Sequence, residues 1–226
     1  MRLNKSIIGM IHLSGYYPVE RALEEIKIYE DCGLFGALVE NYHSGIEDVI
    51  ETLKLVKTNI NLGVNILPNE YQMAFKIAND YGCKFIQLDF ISGKYERNRS
   101  IDIDDYMKYR DLYPDIFVMG GVWPKYYVPI KGSNLIDDLI QATKLCDAVV
   151  VTGQGTGKET PIEKIKIFKE TLGGFPLIIG AGINTENIKD QMRLADGVIV
   201  GSSFKPSNNT TIKVDKELVK DIVSKL

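Results

Sequence analysis

FGALVENYHSGIEDVIETLKLVKTNINLGVNILPNEYQMAFKIANDYGCKFIQLDF, residues 35–90, holds three short apolar runs, FGALVE, NLGVNI and KFIQLDF, separated by two longer segments. The runs are almost continuously apolar, as strands of a parallel sheet are when both their faces are buried. The segments between them, GIEDVIETLKLVK and NEYQMAFKIANDYG, place apolar residues at helical spacing. Strand, helix, strand, helix, strand is therefore the local order.

The same alternation extends both ways. Upstream lies SIIGMI, followed by PVERALEEIKIYEDCG with Val19, Leu23, Ile26 and Tyr29 on one stripe. Downstream come the runs IFVMGGV, DAVVVT, PLIIGA and GVIVGS, and the helical segments DIDDYMKYRDL, NLIDDLIQATKLC, PIEKIKIFKETL, NTENIKDQMRL and VDKELVKDIVSKL. Eight strand–helix units with short connections predict a single (β/α)8 TIM barrel over residues 1–226. A doubly wound open sheet is the alternative, and would need a crevice where the strand order reverses. A 25.4 kDa chain hides roughly 70% of its unfolded surface, enough for one sizeable core.

Composition excludes several classes. A formal net charge of −3 does not suggest a nucleic-acid surface, and leaves only a local basic patch open. No run of about 18 apolar residues is present, so no membrane-spanning helix is expected. The N-terminal MRLNKSIIGMIHL contains His12 and lacks a small-residue cleavage site, and reads as a first strand rather than a signal peptide. Cys32, Cys83 and Cys146 fit no metal-ligand spacing and read as small hydrophobes before strands, consistent with a reduced, cytoplasmic setting. The sequence names no cofactor and leaves association into homo-oligomers open.

Working residues of such a barrel sit at the C-terminal ends of its strands and in the loops that follow. That rule nominates His12, Glu40, Asn41, Asn65, Asn69, Gln87, Asp89, Lys125, Thr152, Gly153, Thr156 and Gly157. The loops after the last two strands add Gly180, Gly182, Asn184, Gly201 and Ser202 as a phosphate cradle, because glycine admits backbone N–H groups close to an oxyanion. Asn184 or Thr185 is expected to cap the seventh helix. The competing reading is that these glycines only make tight turns.

TGQGTGKET at residues 152–160 looks like a nucleotide loop but is not one. A Walker motif needs glycine where Thr152 stands, and Ser or Thr where Glu159 follows Lys158. His12 is a candidate acid or base, or a packed histidine beside the mouth. Glu40 ends an apolar strand and needs a partner: a cation, a ligand hydroxyl or Lys125. Glu40 and Asp89 without close histidines give only a weak metal signal, and no metal is expected. Lys125 lies in WPKYYVP, a candidate lid over the mouth or a solvated lysine. SGKYERNRS, with Lys94, Arg97 and Arg99, reads as a charged surface loop.

In order along the chain, IGMIHL (8–13), VENY (39–42), GVNILPNEYQMAFKIA (63–78), VVVTGQGTG (149–157), IIGAGINTENI (178–188), ADGVIVGSSFK (195–205) and the pair Val214–Asp215 resemble the motifs of the BtpA family. The resemblance implies a TIM barrel related to phosphate-binding barrels. It departs from the family where an Arg becomes Gln87, an Asn becomes Asp89, and Gly121 and Tyr126 replace an Asp and a His. Ser44 stands where the family often has Asp, and the loop after the first strand is shorter. The expectation is an enzyme acting on a small phosphorylated metabolite, sugar-like or nucleotide-like. The alternative is a non-catalytic binding or assembly protein on the same scaffold, which the lost rim charges motivate.

Overall fold

The computed structural model describes residues 1–226. Eight parallel strands, β1 (Ser6–His12), β2 (Gly36–Glu40), β3 (Asn61–Asn65), β4 (Phe85–Leu88), β5 (Phe117–Gly121), β6 (Ala148–Val151), β7 (Leu177–Ile179) and β8 (Gly197–Val200), close into a barrel in sequence order. Each strand is followed by a helix: α1 (Pro18–Asp31), α2 (Ile46–Leu55), α3 (Tyr71–Asp80), α4 (Ile103–Leu112), α5 (Leu135–Ala142), α6 (Ile162–Leu172), α7 (Ile188–Leu194) and α8 (Lys216–Val223). Two 3-10 turns, Ser202–Phe204 and Pro206–Asn208, lie between β8 and α8. The fold is the (β/α)8 barrel that the alternation predicts, and the open sheet is excluded by the pairing of β1 with β8.

Side chains alternate across each strand, so the two faces build two cores. The larger packs the sheet's outer face against the helices. The smaller fills the barrel: Ile8, Met10, Leu38, Phe85, Met119, Ala148, Val150, Ile178 and Ile199. Phe85 lies over β3, where a Cβ on Gly63 would stand 2.1 Å from its ring, so glycine there makes room for the aromatic plug.

Two corrections to the sequence reading concern helix starts and cysteines. α7 begins at Ile188, not at Asn184. Asn184 instead caps the preceding turn, its Oδ1 accepting from the amides of Glu186 at 2.8 Å and Asn187 at 3.0 Å. Cys83 and Cys146 are buried, whereas Cys32 ends α1 half-exposed. No helix is long and apolar enough to cross a membrane.

Candidate functional site

Two residues beyond the apolar plug, each strand presents its next inward position. Met10 leads to His12, Leu38 to Glu40, Gly63 to Asn65, Phe85 to Gln87, Met119 to Gly121, Val150 to Thr152, Ile178 to Gly180 and Ile199 to Gly201. The site is thus the continuation of the barrel's interior stripe, polar on β1–β4 and β6, and reduced to glycine on β5, β7 and β8. Those glycines let neighbours pack close: a Cβ on Gly121 would stand 1.9 Å from Asp89 O, on Gly180 2.6 Å from Val150, and on Gly201 2.6 Å from His12.

The space that the polar groups surround forms two neighbouring chambers. The larger, about 280 Å³, lies over β2 to β6, with Glu40, Gln87, Asp89, Lys125 and Thr152 among its lining and Tyr42, Tyr126 and Tyr127 as aromatic walls. The smaller, about 30 Å³, lies between His12, Gly157 and the loops after β7 and β8. Lys125 and Thr156 line both.

On the floor of the large chamber, Asn65 Nδ2 donates to Glu40 Oε2 at 2.9 Å and to Asp89 Oδ1 at 3.4 Å. One amide nitrogen therefore stands between two carboxyl groups, the place a bridging cation would take. Asp89 also accepts from the Tyr127 hydroxyl at 2.8 Å. Glu40 is buried, and desolvation first, then the charge of Asp89, raises its pKa to about 7 despite the opposing pull of Lys125. Its partner is Asn65, and no ion pair joins it to Lys125. A carboxyl poised at neutrality is able both to give and to take a proton. Buried Asn65 Oδ1 and Gln87 Oε1 have no partner in the protein.

His12 is 4% exposed and meets the edge of Tyr42 at 4.7 Å between centroids. Burial, then the charges of Lys205, Lys125 and Arg21, push its pKa well below the ordinary imidazole value. His12 is therefore a neutral imidazole at pH 7 and not an acid in its charged form.

The loops after β5 and β6 are clasped together over the chamber. Lys125 N donates to Thr152 Oγ1 at 2.8 Å, and Lys125 Nζ to Thr156 Oγ1 at 3.1 Å. The Tyr126 hydroxyl donates to Thr156 Oγ1 at 3.1 Å and accepts from the Thr156 amide at 2.9 Å. From beneath, Lys164 donates to the carbonyls of Trp123 and Thr152, both at 2.9 Å, and burial lowers its pKa to about 8. Trp123 and Tyr126 hold positive φ, 46° and 69°, a cost that this clasp sustains.

The small chamber is lined by backbone of the loops after β7 and β8. The amides of Gly182, Ile183, Gly201 and Ser202, all lining residues, donate to no acceptor in the protein. Gly180 spends its amide on the Val151 carbonyl at 2.8 Å, and Gly153 and Gly182 also serve packing. A Cβ on Gly182 would stand 2.3 Å from Glu159 Cα, and one on Gly153 2.6 Å from Glu159 O, so both let neighbouring loop backbones touch.

Three predicted binding residues point elsewhere. Asn41 is spent on Leu67, accepting from its amide at 2.8 Å. Asn69, at φ 91°, accepts from the Phe90 amide at 3.0 Å and fastens the β3 loop to β4. Asn184 is the turn cap described above. In their place the structure brings Tyr42, Tyr127 and Arg99 to the large chamber. Arg99 corrects the reading of SGKYERNRS as only a surface loop; its guanidinium lies 5.1 Å from the Tyr127 ring centroid. The tyrosines of WPKYYVP were the available signal, an aromatic pair beside a rim lysine.

The BtpA family model matches residues 3–226. An uncharacterized protein of Methanocaldococcus jannaschii is 30% identical over 97% of this chain and 94% of its own length. The photosystem I biogenesis protein BtpA of Synechocystis is 26% identical over 87% of this chain and 75% of its own. Among solved structures, phosphoribosyl anthranilate isomerase from Thermus thermophilus superposes with a TM-score of 0.66 at 12% identity, covering 97% of both chains. At that identity the likeness speaks for the fold alone.

Proposed function

The chain belongs to the BtpA family, and from that premise we propose that it is an enzyme acting on a small phosphorylated metabolite. The phosphate sits in the small chamber, on the free amides of Gly182, Ile183, Gly201 and Ser202, with Lys125 Nζ closing the near side. The remainder of the molecule lies in the large chamber against Glu40, Gln87 and Asp89. A volume of about 280 Å³ is at the small end of ligand sites, which run roughly 300–1,000 Å³. It suits a compound of sugar size.

The observation that carries this reading is Lys125, which belongs to both chambers at once. It couples an anion-binding end to a proton-transferring end. Glu40 is the acid–base group, exchanging a proton with the metabolite's polar body, while the ammonium of Lys125 offsets negative charge that develops beside it. Asn65 and Tyr127 hold the two carboxyls in place.

Titration calorimetry with inorganic phosphate and hexose 6-phosphates, on the parent and on Ser202→Asp, tests the placement. The added carboxylate should weaken binding at least tenfold, while Ser202→Ala should bind nearly as the parent does. Equal affinity for parent and Ser202→Asp would remove the phosphate from this chamber. The relative named as a biogenesis protein supports a second reading, a barrel that binds such a ligand without turning it over. In that case Glu40→Gln would leave the biological effect of the protein intact.

A further inference from the structure

Arg99 is a cation of the mouth that the phosphate site leaves unused. It follows β4, four places from β8 in a closed ring of eight, so it stands across the mouth from Gly201 and Ser202. Eight strands about 4.8 Å apart and tilted about 36° form a ring about 15 Å across. The reach of an arginine side chain brings its head group well inside that span.

The turn that carries Arg99 is firmly built. Tyr95 N donates to Arg99 O at 2.8 Å, and Arg99 N to Tyr95 O at 3.3 Å. Tyr95 is 1% exposed, and its hydroxyl donates to Ser92 O at 2.9 Å while accepting from the Trp123 amide at 3.1 Å. Glu96 N to Val128 O and Ile130 N to Lys94 O sew the turn to the loop after β5.

The guanidinium stacks on Tyr127, which is itself held by Asp89. Stacking uses the flat face of the group and leaves its N–H edge available to an oxyanion. Arg21, Arg110 and Arg193 each pair with a carboxylate; Arg2, Arg97 and Arg99 pair with none, and of these three Arg99 lines the large chamber. Glu40, Gln87 and Asp89 line the same chamber as Arg99, groups suited to hydroxyls and not to further negative charge.

We propose that the ligand is doubly anionic: a hydroxyl-bearing, sugar-sized phosphate with a second phosphate or a carboxylate at its far end, received by Arg99. This rests on the phosphate placement above. The test compares fructose 1,6-bisphosphate, 6-phosphogluconate and fructose 6-phosphate by calorimetry, with inorganic phosphate as the reference for the nest alone. On the parent, at least one of the two doubly anionic compounds should bind about tenfold or more tightly than fructose 6-phosphate, as a charge-assisted contact implies; which one does so tells phosphate from carboxylate. Arg99→Gln should abolish that preference while leaving fructose 6-phosphate unchanged, and Arg99→Lys should restore part of it.

Equal affinities on the parent, or an equal loss for all three compounds in Arg99→Gln, would overturn the role of Arg99 and leave the phosphate nest standing. Failure of every compound, inorganic phosphate included, to bind the parent would overturn the nest and this inference with it.

Discussion

His12 and Gly201 are in mutual contact across β1 and β8: a Cβ built on Gly201 would stand 2.6 Å from His12 Cε1. Its φ of −126° is not the left-handed conformation that favours glycine. It is needed because an imidazole occupies the volume that a side chain would fill. The histidine cannot retreat easily, as it is buried against Tyr42 on its other side.

Gly201→Ala should therefore overpack the mouth and destabilise the protein by about 1–3 kcal/mol. Urea unfolding reads that cost, and the His12 imidazole resonances should shift in NMR spectra. Unchanged stability with unchanged resonances would show that the ring has room to move.

Glu40 predicts a pH dependence with a definite sign. Its folded pKa of about 7 lies above the ordinary carboxyl value of 4.5. Its contribution to stability is thus fully present below pH 4.5 and is lost as pH rises through 7. Glu40→Gln should melt close to the parent at pH 4.5 and above it at pH 8, by the equivalent of a few kcal/mol at most. A melting-temperature gap that stays constant from pH 4.5 to 8 would contradict the raised pKa.

Lys205 and Glu25 form an ion pair at 2.9 Å with both side chains fully buried, joining the loop after β8 to α1. Glu25 Oε1 also accepts from the Val214 amide at 3.0 Å, and Lys205 donates to Ile212 O at 2.8 Å. Lys205→Ala would leave the buried Glu25 carboxylate only the longer contact to Arg21 at 3.5 Å and the Val214 amide, and should cost about 3 kcal/mol in urea unfolding. The apolar pair Glu25→Leu with Lys205→Met should recover much of it. A loss of under about 1 kcal/mol in the single variant would show the pair to be dispensable.

The barrel was legible because eight apolar runs buried on both faces leave a periodic trace that no surface requirement interrupts. The inward rim was legible for a related reason: the strand ends at His12, Glu40, Asn65, Gln87 and Thr152 break apolar runs with polar groups. What escaped the sequence was the direction of loop side chains. Asn41, Asn69 and Asn184 look like ligand residues, yet each satisfies backbone amides that the turns would otherwise strand. Arg99 looks like a solvated charge because its stacking partner Tyr127 comes from the next strand's loop, 28 residues on. Gly153 resembles a ligand-loop glycine, but contact with the Glu159 backbone decides its role; Gly182 meets the same backbone while its amide stays free, and only the assembled barrel brings those loops together.

A phosphate group held between Gly182, Ile183, Gly201 and Ser202 is what the proposed function requires first. Calorimetry of inorganic phosphate and a hexose 6-phosphate against the parent, Ser202→Ala and Ser202→Asp measures it most directly. Binding by the parent and Ser202→Ala, with at least a tenfold loss in Ser202→Asp, is the predicted result. Binding of equal strength by all three proteins, or none by the parent, would contradict it.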